Sequence, residues 1–225
     1  MLRLTLAIAR KDLALTVSRA SGLTQALLLG LLLIFVFSLS QDAGQRLEPQ
    51  AAAAVFWLGS LFCQVLIFDQ LYALEEANGA RLGLLLAPAP VQGIWLGKAL
   101  AGLVLLLAAQ AVFLPAAIVF LGQSMTGDAL PGICVLLFSD AGMCALGSLL
   151  GAIAQGQAAR ESLLSLVLFP LLTPLLLAGI AVGAQTFGAP APNGPAGWIS
   201  VAGAFDAVFC AAALVLFPFV YTGED

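Results

Sequence analysis

Two aspartates, Asp140 in CVLLFSDAGMCALG and Asp206 in SVAGAFDAVFCAA, interrupt otherwise apolar runs. A carboxyl group at membrane depth is costly and marks a candidate proton relay or polar path. The same residues can instead be protonated or hydrogen-bonded links between helices, and no motif pairs them in the sequence. An intramembrane aspartyl protease also needs two aspartates, but the short motifs expected around them are missing. The other concentration of polar chemistry is Asp69–Lys98, DQLYALEEANGARLGLLLAPAPVQGIWLGK, lying between two long apolar segments. Cys63, Cys134, Cys144 and Cys210 fall within apolar runs without a CxxC and read as small buried hydrophobes. The lack of histidine removes imidazole acid–base catalysis, most zinc sites and an axial imidazole for haem. No Walker A, GxGxxG, GxSxG or HExxH sequence occurs, so the chain is expected to be no enzyme and to bind no cofactor or metal itself.

The elements that must position these residues are membrane helices. Hydrophobic residues make up 62% of 225 and charged residues only 9%, whereas a soluble domain carries roughly a quarter charged. Mean hydropathy is +1.08. The expected fold is all-α and integral to the membrane, a single polytopic domain over 1–225 with no basic patch for nucleic acid. A bilayer core of about 30 Å needs ~20 apolar residues per helix. Six stretches qualify, at about 22–39, 52–74, 93–121, 131–153, 162–184 and 197–220. Pro170 and Pro174 are expected to kink the fifth. Trp57, Trp95 and Trp198 lie near span ends and read as interfacial anchors, and Gly147/Gly151 as a site of close helix packing.

With the N-terminus cytoplasmic, Arg3, Arg10, Lys11, Arg19, Arg81, Lys98 and Arg160 fall inside and only Arg46 outside, which places both termini and Asp69–Lys98 in the cytoplasm. Residues 1–20 repeat Leu2, Leu6, Leu13 and Val17 at helical spacing, with Arg3, Arg10, Lys11 and Asp12 largely elsewhere on the wheel. That pattern predicts an amphipathic helix in the cytoplasmic interface. The alternative, a signal-peptide n-region before a core at 23–37, would remove the first of six coherent spans. The Gly/Pro-rich segment 187–197 is either an extracytoplasmic turn or a re-entrant dip.

Within Asp69–Lys98, Glu75 and Glu76 close one helix at Asn78-Gly79, and Ala80–Ala87 can form two turns with Leu82, Leu85 and Leu86 on one side. Pro88 and Pro90 end that short helix, and Lys98 opens the next span as a snorkelling cation. The run E-E-x-x-G-x-x-x-x-L-L-x-x-P-x-P, with Gly97-Lys98 at the next helix, resembles the intracellular loop of ABC-2-type exporter permeases. In that family the loop is a coupling helix docked in a cleft of the ATP-binding subunit. Glu75 or Glu76, Gly79, Leu85, Pro88 and Lys98 match the pattern, with Arg81 and Pro90 completing the expected interface. The family commonly has Thr after the glycine and an acid two residues later, where this chain has Ala80 and Leu82.

More of the chain is similar to the haem exporter protein B (CcmB) family: the basic N-terminal helix ending in ARKDLALTVSR, VFWLGSLF in span two, the L-x-x-P-x-P loop with Lys98, and SLLSLVLFPLLTPLLL in span five. The resemblance implies the membrane half of an ABC complex of c-type cytochrome biogenesis in the bacterial inner membrane. It also implies an ATP-binding partner that holds the ATP, a haem-handling membrane partner and a second copy of the chain in the bilayer. Haem would then be handled by the complex. Two other expectations stand beside it: an ABC-2 permease for a lipid, drug or glycan, and a proton-coupled carrier using Asp140 and Asp206.

Overall fold

A computed structural model describes residues 2–19, 21–41, 45–77, 79, 83–84, 86, 90–155, 160–190 and 194–222. Among them the chain is entirely helical: α1 (Leu2–Arg19), α2 (Ser21–Leu39), α3 (Pro49–Ala77), α4 (Gln92–Phe120), α5 (Ala129–Ile153), α6 (Arg160–Thr186) and α7 (Ala196–Thr222). Every helix after α1 is long and apolar enough to cross a bilayer. In hydrocarbon a helix satisfies its own backbone groups, so uninterrupted apolar sequence of this length folds no other way.

Local chemistry sets the ends. Pro49 opens α3, where its missing N–H and fixed φ suit a first helical position. Past α4 and α6, Gly122 and Gly188 adopt φ of +66° and +99°. The next amides, of Gln123 and Ala189, then bond back to Ile118 and Ala184, a closure that needs a left-handed residue. Both prolines of α6 lie inside one continuous helix from Arg160 to Thr186.

The core is built by α3, α4, α5 and α6. Helix α2 packs against α3 and α4 on one side, α7 against α5 and α6 on the other, and α1 against α4. Gly147 and Gly151 of α5 receive the rings of Phe68 and Tyr72 of α3, where an added Cβ would sit 2.4 Å and 2.6 Å from ring carbons. Two of the three tryptophans are not anchors in the interface. Trp57 and Trp95 are only 2% and 3% exposed, because their rings fill the space between core helices, and Trp198 is half-buried. Segment 187–197 runs through a turn at 187–188 to α7, and its residues 191–193 lie outside the described set.

Candidate functional site

Three polar residues of Asp69–Lys98, namely Tyr72, Glu75 and Lys98, converge inside the bundle rather than on its surface. Leu71, Tyr72 and Glu75 share a face over the last turns of α3, and Trp95 and Lys98, three residues apart, share one at the start of α4. Lys98 does not snorkel; its side chain is 0% exposed. The ammonium group lies 3.3 Å from Glu75 Oε2 and 3.4 Å from Asp12 Oδ2. It donates to the Leu71 carbonyl at 3.2 Å and sits 4.5 Å above the centre of the Tyr72 ring. Asp12 Oδ1 is 2.9 Å from Lys11 Nζ, whose side chain reaches the surface. Two carboxylates and two cations thus balance, as buried charge requires.

The face of α1 explains why Asp12 is inside. Thr5, Ile8, Ala9, Asp12 and Thr16 are buried, whereas Leu2, Leu6 and Val17 point outward with Arg3 and Arg10. Asp12 therefore leaves the polar outer face that the sequence wheel assigns to it. Gly93 and Gly97 of α4 let α1 approach: a Cβ on Gly97 would stand 2.9 Å from Ile8 Cβ and 3.0 Å from the Thr5 carbonyl oxygen. Thr5 Oγ1 also donates to the Gly93 carbonyl at 3.5 Å.

A hydrogen-bond ladder continues inward from the charges. Tyr72 Oη donates to the Ser148 carbonyl at 2.6 Å and lies 3.2 Å from Ser148 Oγ. Ser148 Oγ donates to the Trp95 carbonyl at 3.0 Å, and Trp95 Nε1 to the Ala145 carbonyl at 3.0 Å. Helices α1, α3, α4 and α5 are thereby tied together at the end that carries the 78–91 connection. Glu75 lies two residues before the end of α3 and Lys98 six residues after the start of α4, so both flanks of the connection are fastened.

The connection itself is outward. Gly79 adopts φ +61° in a turn closed by its amide on the Glu76 carbonyl at 3.0 Å, and Gly79, Glu76 and Pro90 are exposed. Gly83 and Leu84 are helical, Leu84 packs toward the core, and Leu86 is 79% exposed. Arg81, Leu85 and Pro88 lie outside the described residues. Of the eight residues predicted for a docking surface, Glu75 and Lys98 are instead internal, because the buried ammonium group is neutralised by Glu75 and Asp12 between apolar helix ends. Tyr72 and Ser148 carry no sequence motif, and Asp12 belongs only to the basic stretch ARKDLALTVSR. The available signal was Lys98 itself, a cation inside an apolar helix that needs an acidic partner.

Asp140 and Asp206 fall on α5 and α7, which pack against each other. Asp140 is fully buried and accepts from Gln110 Nε2 of α4 at 2.8 Å. Asp206 is half-buried and lies against Gly142 of α5, where a Cβ would meet its Oδ1 at 2.2 Å. Gln64 of α3 donates to the Met143 carbonyl nearby on α5. Cys63 and Cys144 are buried thiols, and Cys134 and Cys210 half-buried ones. Among the described residues no group of His, Cys, Asp and Glu could hold a metal ion.

Six long apolar helices, with a buried ion cluster that joins α1, α3 and α4 at one end, define a polytopic helical membrane protein. Residues 3–223 match the family model described as "CcmB protein", and the chain belongs to that family. It is similar to "Heme exporter protein B" of Paracoccus denitrificans (strain Pd 1222), 29% identical over 172 residues that cover 75% of this chain and 77% of that protein.

Proposed function

We propose that this chain is the membrane subunit of an ABC-type haem exporter complex of c-type cytochrome biogenesis, with the 78–91 connection as the contact for a separate ATP-binding subunit. The family and the similarity to a haem exporter protein B support the complex. The observation that carries the coupling reading is the Asp12–Lys98–Glu75 cluster. It fastens both flanks of the connection to each other and to α1, so a push on exposed Leu86 or Pro90 is delivered to α3 and α4 together. A loop hinged on unfastened helices would absorb that displacement locally. In this reading the connection and both termini face the cytoplasm of a bacterium, in agreement with the distribution of Lys and Arg. The complex also includes a second copy of this chain and a haem-handling membrane subunit, and ATP binds the partner alone.

Leu86→Glu and Gly79→Pro test the contact. Leu86 is exposed, so its replacement should leave folding within about 0.5 kcal/mol of the parent. Recovery of the ATP-binding subunit with the tagged chain should fall in both variants. Undiminished recovery would sink the docking assignment. The carrier reading retains one observation, the buried Asp140 carboxyl on Gln110. Asp140→Asn keeps an acceptor for Gln110, so loss of transport in that variant, with transport surviving removal of the ATPase, would favour the carrier.

A further inference from the structure

At the end of the bundle opposite Lys98, a cavity of about 110 Å³ lies between α3, α4, α5 and α6. Ala53, Phe56, Trp57 and Val135 are its most buried lining, Leu114 and Gly183 line it too, and the exposed Met125 and Ile133 stand at its mouth. The hydroxyl of Thr186, a polar group in the wall, is already committed to the Val182 carbonyl at 3.1 Å. A water needs two to four polar partners, and an apolar cavity of this order stays dry and takes hydrocarbon or xenon. An empty one forfeits the dispersion contacts of its lining.

The mouth identifies the occupant. Ile133 is 54% exposed and continues a stripe on α5 formed by the exposed Leu130 and Leu137, three residues before and four after it. In a bilayer that stripe faces acyl chains. The 29 residues of α3 span about 43 Å against a hydrocarbon core of ~30 Å, and its charged residues, Asp69, Glu75 and Glu76, fall in the last third, so the part within hydrocarbon is the earlier one, with Trp57 roughly 12 Å from the helix start. From this continuity of an apolar cavity with a lipid-facing stripe, we propose that the cavity binds the acyl chain of a membrane lipid. The chain enters past Ile133 and ends against the Trp57 ring.

Bromine on a lipid chain quenches tryptophan only at short range, which makes Trp57 the reporter. The protein with Trp95→Phe and Trp198→Phe is placed in nanodiscs of phosphatidylcholine, either unmodified or brominated near mid-chain. Trp57 is expected to be quenched by the brominated lipid despite its burial. Filling the cavity with Ala53→Leu, at a buried lining residue, or the mouth with Ile133→Phe, should remove that quenching while the annular lipid stays in place. If the Trp95→Phe background does not fold, the Trp57 share is read as the difference between the parent and Trp57→Phe. If Ala53→Leu does not fold, Ile133→Phe decides. Absent quenching, quenching unchanged in a folded filled variant, or quenching by aqueous acrylamide instead would each overturn the proposal.

Discussion

Removing the central cation isolates the cluster's energetic role from its mechanical one. In Lys98→Met the side chain keeps most of its length, but Glu75 and Asp12 lose the ammonium group at 3.3 Å and 3.4 Å. At an effective dielectric of about 20, each pair is worth roughly 5 kcal/mol of gross attraction, most of it offset by desolvation. What remains after deletion is two buried carboxylates with one surface cation, Lys11, beside Asp12. Breaking a buried pair from one side costs about 3–5 kcal/mol, whereas replacing all its charges together is often neutral. Lys98→Met should therefore unfold at markedly lower temperature. Adding Asp12→Leu and Glu75→Met, apolar residues of similar volume, should restore most of the lost stability. The buried thiols of Cys63 and Cys144 supply the assay, since a thiol-reactive fluorophore labels them only on unfolding in detergent. On the proposed coupling, ATP-dependent activity of the complex should remain lost in the triple variant, because the ion pairs that join α1, α3 and α4 are gone. A Lys98→Met protein as stable as the parent would refute the electrostatic argument, and full activity in the triple variant would refute the mechanical one.

Gly97→Val should dislodge α1, since even a Cβ there meets Ile8 and the Thr5 backbone; the strain of about 1–3 kcal/mol should appear as faster tryptic cleavage at Arg10. Tyr72→Phe keeps the ring over Lys98 but loses the hydrogen bond to Ser148, so a loss of about 1 kcal/mol is expected by the same thiol assay. Asp140→Leu leaves Gln110 Nε2 without its acceptor in the core and should cost about 1–3 kcal/mol, unlike Asp140→Asn.

Span positions were legible because each depends on a length of apolar sequence and nothing else. The expected 22–39 is one residue short of α2 at its start, and the expected 93–121 differs from α4 by one residue at each end. The inner face of α1 was not legible. Of its apolar repeat, Leu2, Leu6 and Val17 point outward and Leu13 packs toward the core, so most of the repeat has the arrangement expected where lipid rather than water surrounds a helix. In water the same repeat would mark the packed face; beside a bilayer, small and polar residues such as Thr5, Ala9 and Asp12 pack inward instead. The tryptophans fail for a related reason, since nearness to a span end does not say whether a ring faces lipid or a neighbouring helix. Glu75 and Lys98 were legible as important residues, but 23 positions of sequence hide that they touch.

Hydrophobic burial gives little reason for two helices to stay together in hydrocarbon, so polar contacts and close packing decide where a membrane bundle is firm. Here side-chain bonds from Asp12, Tyr72, Glu75, Trp95, Lys98 and Ser148 join α1, α3, α4 and α5 at one end. At the other, Ser38 on the Phe120 carbonyl, Gln123 on the Leu47 carbonyl and the Gly127 amide on the Thr186 carbonyl join the helix ends, and the apolar cavity lies beside Trp57. A displacement applied to the 78–91 connection therefore meets its rigid region first. The helices beside it are held in one register by directional bonds, so on the proposed coupling a displacement there moves α1, α3 and α4 as a unit. The space that the protein's own apolar side chains leave beside Trp57 is where neighbouring helices resist rearrangement least.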